Sequence, residues 1–285
     1  MEVDQIRQVG VVGAGTMGLG IAQITAQNNY RTILFDLDDR VLEKAKDQIT
    51  QNLDKGIARG KITENSKTET LKNITFTNDF GLLVADLIIE AIVENLEIKQ
   101  KLFSDLENQN TAETIFASNT SSIPITKIAS ALKRPERLAG LHFFNPAHIM
   151  KLVEIISGAS TEAALTKILE TLVEKCGKTA VMAKDSPGFI VNRVARHFYV
   201  ESLLLLEEDV ADVESIDKLI RSSGFKMGPF ELMDLIGVDT NFSVTESMFN
   251  SFYQDGKFRP SRIQEQKVAA GHTGRKSGKG FYDYN

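Results

Sequence analysis

The stretch QVGVVGAGTMG, residues 8–18, decides the fold of this chain. A β-branched run leads into the glycine pattern G-x-G-x-x-G, and a pattern of small and apolar residues typical of a helix follows. In such a unit the first glycine permits a tight turn, the second lets a diphosphate approach the backbone, and the third lets helix and strand pack closely. The free N–H groups at the helix start favour phosphate. The predicted dinucleotide-binding loop consists of Gly13, Gly15, Thr16, Met17 and Gly18.

An acidic residue, Asp36, closes the next β-rich run after the loop. Its carboxylate can accept hydrogen bonds from an adenosine ribose and would repel a 2′-phosphate, so NAD is predicted over NADP. Arg40 is near enough to attract such a phosphate, but Asp38 and Asp39 stand beside it. The alternative is a glycine turn followed by a solvated aspartate, and the order of strand, loop, helix, strand and acid favours dinucleotide binding.

Beyond this unit, short β-rich runs alternate with helical patterns over the first two thirds of the chain. Such alternation predicts a mostly parallel sheet with helices on both faces. The predicted strands are Gln8–Val12, Thr32–Asp36, Ile74–Thr77, Leu87–Ile92, Thr114–Ser118, Leu138–Phe144, Leu152–Ile156 and Thr179–Ala183. The predicted helices between them are Met17–Asn28, Arg40–Arg59, Leu96–Asn108 and Glu162–Cys176, with a short one at Pro124.

The pattern changes after the segment DSPG, residues 185–188, where β-branched runs end and helical patterns continue. These cover Ile190–Glu208, Val213–Ser222, a helix that opens at Pro229, and Ser261–Ala270. We therefore predict a Rossmann-type α/β domain over residues 1–186 and an all-α domain over residues 187–285. The helical part holds more apolar residues than a small helical unit needs, which predicts a homodimer formed through this domain.

The bulk composition excludes several classes of function. A net charge of −5 gives no electrostatic reason to expect nucleic acid, and no apolar run reaches the roughly 20 residues of a membrane span. No signal-like sequence precedes the first strand, and the single Cys176 excludes an internal disulfide, so a cytoplasmic location is expected. The lone cysteine and the scattered histidines lack the spacing of metal ligands, so no metal site is predicted.

Two residues suggest acid–base chemistry. His142 lies in LHFFNP, where a predicted strand ends, and ligands of open α/β sheets bind at the carboxyl ends of strands. Glu154 lies between Val153 and Ile155 in the next strand, where an unpaired acid is costly to bury. We predict that Glu154 orients His142 and stabilises its charged form when the ring accepts a proton. The alternative is a purely structural histidine.

Seven segments of the chain match, in order, the motifs of one enzyme family. They are GAGTMGLGIA (13–22), IEAIVENLEIK (89–99), ASNTSS (117–122), GLHFFNPAHIMKLVEI (140–155), DSPGFIVNR (185–193), MGPFELMDLIG (227–237) and GRKSGKGFYDY (274–284). In these segments, and over nearly all 285 residues, the chain resembles the L-3-hydroxyacyl-CoA dehydrogenase family, in particular its bacterial 3-hydroxybutyryl-CoA type.

The resemblance implies an NAD-dependent interconversion of (S)-3-hydroxyacyl-CoA, such as 3-hydroxybutyryl-CoA, and 3-ketoacyl-CoA. It makes His142 the general base and Glu154 its partner, and it places Ser121 and Asn192 on the substrate. The positions that it places along the cofactor are Glu94, Lys99, Ser121, Asn145 and Lys276.

Each carried-over residue also has a structural alternative. Ser121 could shape a turn, Asn192 could cap a helix, and Glu94 and Lys99 could be surface charges.

The phosphates of CoA require positive charge, and the basic segment near the end of the second predicted helix offers Lys55 and Arg59, with Lys61 beside them. A solvated basic helix face is the alternative there.

Two other functions remain possible on the sequence alone. A β-hydroxyacid dehydrogenase of the phosphogluconate type also combines a Rossmann domain with helices, but it would typically need a catalytic lysine where this chain has Asn192 and Arg193. A catalytically silent NAD-binding structural protein would not require the pair of His142 and Glu154.

Overall fold

The computed structural model describes residues 2–284, and the chain forms two compact units, Met1–Ser186 and Pro187–Asn285. The first unit is built on one eight-stranded sheet with the order β3-β2-β1-β4-β5-β6-β7-β8. Its strands are β1 Gln8–Val12, β2 Arg31–Phe35, β3 Ile74–Thr77, β4 Leu87–Glu90, β5 Ile115–Ser118, β6 Leu138–Phe143, β7 Leu152–Ser157 and β8 Thr179–Lys184.

All neighbouring strands are parallel except β6 and β7, which are antiparallel. The strand order reverses between β1 and β4, so ligands are expected at the carboxyl ends of these two strands. The central strands read as continuous apolar runs because both of their faces are covered. The predicted α/β class with a mostly parallel sheet is confirmed.

The helices of the first unit are α1 Thr16–Gln27, α2 Asp39–Ala58, α3 Glu64–Lys72, α4 Leu96–Gln109, α5 Ile125–Ala129 and α6 Ala163–Lys175. Helix α2 shows why they form: Leu42, Ala45, Ile49 and Leu53 recur at helical spacing and are the residues it buries. The Asp38 side chain accepts a hydrogen bond from the Arg40 N–H and caps this helix.

The second unit is helical and consists of α7 Val191–Glu207, α8 Val213–Ser222, α9 Pro229–Ile236, α10 Val238–Ser251 and α11 Arg262–Ala269. Tyr199, Leu203, Ile216, Phe230 and Met233 form the centre of its core. No helix within the described residues is long and apolar enough to cross a membrane.

Two helices, α3 and α10, have no counterpart among the predicted ones. Helix α3 buries only Thr70, so its sequence carries no apolar stripe. Helix α10 is rich in β-branched and small polar residues, which favour helix weakly, and it buries Asn241 and Thr245 beside Val238 and Met248. Neither helix carries the apolar spacing from which the other helices were predicted.

Candidate active site

The glycine loop joins β1 to α1 and has the geometry that its sequence predicts. Gly13 adopts a φ of +97°, and its N–H donates to the Phe35 carbonyl at 2.8 Å. A Cβ on Gly18 would lie 1.7 Å from the Gly13 carbonyl oxygen, so only glycine fits there. A Cβ on Gly15 would meet nothing within 4 Å, and Gly15 and Thr16 are exposed. The N-terminus of α1 is therefore open to a phosphate.

Asp36 follows β2 directly and lies beside this loop. Its Oδ2 accepts a hydrogen bond from the Ala14 N–H at 2.8 Å, and its Oδ1 accepts one from the Asp38 N–H at 3.1 Å. These bonds fix the carboxylate at the mouth of the loop. Arg40, the residue that could have attracted a 2′-phosphate, instead forms a bidentate pair with Asp38 at 2.8 and 3.1 Å.

A cavity of about 730 Å³ opens at this place. Its lining includes Gly13, Gly15 and Asp36 on one side and the apolar side chains of Val93 and Ile98 on the other. A mostly apolar slot with the Asp36 carboxylate and an open helix N-terminus at one side matches an adenosine diphosphate. The base needs apolar walls, the ribose needs an acceptor and the phosphates need N–H donors. These residues therefore fit the adenosine half of NAD.

His142 and Glu154 form a buried pair on adjacent strands. They lie directly opposite each other in the antiparallel register of β6 and β7, which brings their side chains together. His142 Nδ1 lies 2.7 Å from Glu154 Oε2, with the side chains 7% and 1% exposed. The carboxylate accepts from Nδ1–H, so the basic lone pair of the neutral ring belongs to Nε2. Because both side chains are buried, the surroundings are of low polarity and strengthen the hydrogen bond between His142 and Glu154.

Asn119, which the sequence analysis did not single out, ties the loop after β5 to the strand that carries His142. Its side-chain oxygen accepts a hydrogen bond from the Phe143 N–H at 2.8 Å, and its own N–H donates to the Glu90 carbonyl at 2.8 Å. The ends of β4, β5 and β6 are thereby held at one edge of the sheet.

Glu94 organises the loop that contains Ser121. Its Oε1 accepts from the Thr120 hydroxyl at 2.5 Å, from the Ser121 N–H at 3.1 Å, and from the N–H and hydroxyl of Ser122 at 3.2 and 2.9 Å. Burial opposes ionisation of Glu94, but the charge of Lys99 and these hydrogen bonds outweigh it and lower its pKa. Glu94 is thus more than a surface charge, and Ser121 is held through its backbone.

Lys99 is a buried lysine that lies between two carboxylates. Lys99 was expected along the cofactor, yet it is 1% exposed and lies beneath the Glu94 loop. Its Nζ contacts the carboxylate of Glu90 and lies 3.3 Å from Glu94 Oε2. The assignment of Lys99 to the cofactor stays a prediction. Glu90, which is fully buried, was missed.

Asn145 lies in a loop that Lys178 holds in place. The ammonium group of Lys178 donates to the Ala147 and Met150 carbonyls at 2.7 and 2.6 Å. Asn145 borders a second cavity, of about 480 Å³, which also touches Gly15 of the glycine loop. Asn145 and the glycine loop therefore border the same cavity.

The basic residues predicted for CoA lie on the outside of the first unit. Lys55 belongs to the last turn of α2 and Arg59 follows it, and both are exposed. Lys44, Gln48 and Asn52, which the sequence analysis did not name, line the second cavity along the same helix. Positions 44, 48, 52, 55 and 59 follow one another at intervals of three or four residues, the spacing of neighbouring side chains on a helix surface.

The two remaining predicted residues belong to the second unit. Asn192 is half-buried near the start of α7, and because Ile190 occupies the cap position, Asn192 is not the capping residue of this helix. Lys276 pairs with Asp239 at 2.7 Å. That ion pair is largely exposed, so it contributes little to stability.

Two family models match the chain and together cover nearly all of it. The model of the NAD-binding domain of 3-hydroxyacyl-CoA dehydrogenases matches residues 8–186. The model of the C-terminal domain of the same family matches residues 188–284.

Two curated relatives illustrate the similarity. The 3-hydroxyadipyl-CoA dehydrogenase of Escherichia coli is 47% identical over 281 residues, which are 98% of this chain but only 59% of that protein. The probable 3-hydroxybutyryl-CoA dehydrogenase of Deinococcus radiodurans is 42% identical over 277 residues, 96% of this chain and 99% of that protein.

A solved structure of a similar protein has the same fold as this chain. The crystal structure of (S)-3-hydroxybutyryl-CoA dehydrogenase from Ralstonia eutropha has a TM-score of 0.94 and 38% sequence identity. The match covers 99% of this chain and 100% of that one.

Proposed function

Because this chain belongs to the 3-hydroxyacyl-CoA dehydrogenase family, we propose that it interconverts an (S)-3-hydroxyacyl-CoA and the corresponding 3-ketoacyl-CoA. The family, the fold class and the NAD cofactor that the sequence predicted are confirmed, and the chain is an NAD-dependent oxidoreductase. The observation that carries the proposed chemistry is the buried pair of His142 and Glu154 at the carboxyl end of β6.

In the proposed mechanism His142 is the general base. Bound NAD supplies the hydride acceptor. His142 takes the proton of the substrate hydroxyl at Nε2, and the ring becomes positively charged. Glu154 stabilises that charge and keeps the Nδ1 hydrogen in place, so the ring presents the same nitrogen in every turnover. In the reverse direction the charged ring returns the proton to the carbonyl oxygen.

Ser121 and Asn192 complete the proposed substrate contacts. Glu94 fixes the backbone of Ser121 by accepting a hydrogen bond from its N–H. The Ser121 hydroxyl is therefore not needed to shape the loop, and we propose that it contacts the substrate oxygen. Asn192 is proposed as a donor to the thioester carbonyl, and its position inside α7 rather than at the cap supports a role other than capping. The proposed cofactor contacts outside the glycine loop and Asp36 are Glu94, Lys99, Ser121, Asn145 and Lys276.

The CoA moiety is proposed to lie along α2. Lys55 and Arg59 supply positive charge for its phosphates, and the second cavity with Lys44, Gln48 and Asn52 extends that surface toward the glycine loop. Lys55 lies close enough to His148, another residue of this cavity, that its charge helps to lower the pKa of that histidine, after burial and the charge of Lys178. A run of basic and amide side chains suits a diphosphate and a pantetheine arm.

A four-carbon acyl group is the proposed preference, because relatives that match over their full length carry 3-hydroxybutyryl-CoA in their names. A six-carbon dicarboxylic acyl group is the second candidate, since the Escherichia coli relative is named for 3-hydroxyadipyl-CoA. Steady-state NADH oxidation with 3-ketoacyl-CoA substrates of four carbons and upward, including 3-oxoadipyl-CoA, tests both. A kcat/KM that is highest for acetoacetyl-CoA supports the first, and one highest for 3-oxoadipyl-CoA contradicts it.

The position of Asp36 leads to a prediction about cofactor choice. Asp36→Ala should raise the Kd of NADH about tenfold or more, because a charged hydrogen-bond acceptor of the ribose is lost. The same change should weaken NADPH binding less, because it also removes the charge that repels the 2′-phosphate. The ratio of the two Kd values, and with it the preference for NADH, should therefore become smaller. Fluorescence titration of both cofactors measures this. Equal kcat/KM values for NADH and NADPH in the unmutated enzyme would rule the prediction out.

A homodimer formed through the helical unit is also proposed. Val194, Val210, Leu219 and Phe225 are between 56% and 69% exposed, and a mostly apolar cavity of about 470 Å³ lies between α7 and α8. So much exposed apolar surface is unusual for a monomer. A cytoplasmic location is proposed as well, because a chain with the single cysteine Cys176 has no internal disulfide that would require an oxidising compartment.

Light scattering should therefore give about twice the chain mass of 31.5 kDa at micromolar concentration. Leu219→Asp should shift the protein toward the monomer, because it places a charge in the apolar contact. Val84→Asp, at an exposed apolar position of the first unit, is the control and should leave the dimer intact. A monomer mass for the unmutated chain would show that the apolar surface has another role.

A further inference from the structure

His148 lies in the loop between β6 and β7 and borders the second cavity. On the opposite wall of this cavity α2 contributes Lys44, Gln48 and Asn52. His148 is half-buried, so its ring is partly shielded from water and still accessible to a ligand in the cavity. It is therefore a titratable side chain at a cavity wall that the proposed hydride transfer does not use.

The backbone around His148 is held on two sides. Lys178 donates to the carbonyls of Ala147 and Met150, one residue before and two residues after His148. Helix α1 packs closely on the other side, because a Cβ on Gly20 would lie 3.0 Å from the Ala147 Cβ and 3.6 Å from the His148 nitrogen. A ligand in the cavity therefore meets a ring on a fixed backbone, which reduces the entropy lost on binding.

The charges that face His148 in the part of the chain that the structure describes are positive. Burial lowers the pKa of His148, and the charges of Lys178, just before β8, and of Lys55, in the last turn of α2, lower it further. Lys44 adds a third positive charge to the cavity wall. The ring is therefore neutral at about pH 7 until an anion enters the cavity.

Like charges gathered around one wall do not help the fold, because each of them opposes the others. They suit an anionic ligand instead, and CoA, which we propose to lie along α2, carries such groups in its phosphates. A phosphate beside the ring would favour the charged form of His148, and a hydrogen bond from a charged ring to a phosphate is about twice as strong as a neutral one.

We propose that His148 binds a phosphate of CoA and takes up a proton as CoA binds. This role rests on the proposed function, in which CoA lies along α2. Without CoA the pKa of His148 lies below its ordinary value, and with a phosphate beside the ring it lies higher. Between these two values CoA binding draws a proton from solution, so the affinity for CoA rises as the pH falls through that range.

The test compares the Kd of CoA for the unmutated chain and for His148→Gln by isothermal titration calorimetry. Glutamine keeps a neutral donor but cannot become charged. At about pH 6 the variant should bind CoA about tenfold more weakly, because a charge-assisted hydrogen bond is lost. At about pH 8 the two Kd values should agree within about twofold, since the ring is then neutral in both states. The 3′-phosphate of CoA also titrates near about pH 6, and the comparison at equal pH removes its contribution.

Two ligands and one variant serve as controls. Pantetheine, which lacks the phosphates, should bind equally to the unmutated chain and to His148→Gln. NADH should keep its Kd as well, because the cavity at Asp36 does not include His148, and this result also shows that the variant is folded. His272→Gln replaces a half-buried histidine of the second unit and should leave the Kd of CoA unchanged at both pH values.

The outcomes separate this proposal from the proposed function. Equal Kd values of CoA for the unmutated chain and His148→Gln at about pH 6 would refute the role of His148 and leave the proposed function intact. Weaker NADH binding by the same factor would assign the phosphate to the cofactor, and weaker pantetheine binding would show that His148 only shapes the cavity. If the unmutated chain binds NADH but no CoA, the proposed function itself falls, and the role of His148 falls with it.

Discussion

Replacing His142 with alanine should lower kcat for acetoacetyl-CoA reduction by about 10²–10⁴-fold, the usual worth of a positioned acid–base group. The ring is the group that exchanges a proton with the substrate oxygen, and Glu154 beside it cannot substitute, because it lies behind the ring at Nδ1. NADH binding should be nearly unchanged, since the adenosine cavity at Asp36 does not involve His142. Stopped-flow or steady-state NADH oxidation, with fluorescence titration of NADH, measures both.

A second variant separates the loss of the base from a loss of packing. Alanine leaves the buried carboxylate of Glu154 without its partner, which is destabilising by itself. His142→Gln retains a donor for that carboxylate, so it should fold better and yet lose as much kcat. His272→Ala, at a half-buried position in the second unit, is the control and should keep normal turnover. Near-normal turnover of His142→Gln with bound NADH would show that the base is another residue.

Glu154→Gln should lower kcat by about 100-fold, because the positive ring that forms during turnover loses the negative charge that stabilises it. The side chain keeps its shape and can still accept a hydrogen bond from Nδ1, so the fold and the KM for NADH should change little. Steady-state kinetics with acetoacetyl-CoA give the two parameters separately. A drop in NADH affinity without a change in kcat would contradict the orienting role.

The double variant His142→Ala/Glu154→Gln tests whether the two residues act as one unit. If Glu154 works only through the ring, the double variant should lose about as much kcat as His142→Ala alone, far less than the product of the two single losses. Fully multiplicative losses would mean that Glu154 has a separate function in the site.

The sequence predicted the fold well because its signals were local and mutually consistent. All eight strands were expected within two residues of their observed ends, since apolar runs bounded by turns leave little choice. Strand β4 ends at Glu90 rather than at Ile92, because the Glu90 side chain takes the Ile92 N–H. The antiparallel pairing of β6 with β7 also explains why His142 and Glu154, twelve residues apart, meet directly.

The candidate site was predicted less completely, and the reason is physical. Glu154 was identified as an acid among apolar strand residues, and Glu90 stands in the same setting after Leu87, Ile88 and Ile89. Glu90 was nevertheless not among the predicted residues, so the buried partner of Lys99 was missed. Lys99 lies on α4, a helix that buries charged residues as well as apolar ones. The sequence of this helix therefore does not show that the Lys99 side chain is buried.

NADH oxidation by the unmutated enzyme with acetoacetyl-CoA, followed by analysis of the product's configuration, is the decisive experiment for the proposed function. We expect turnover that requires both substrates, that is much slower with NADPH, and that yields the (S)-3-hydroxyacyl-CoA. An enzyme that binds NADH but turns over neither acetoacetyl-CoA nor any longer 3-ketoacyl-CoA would contradict it.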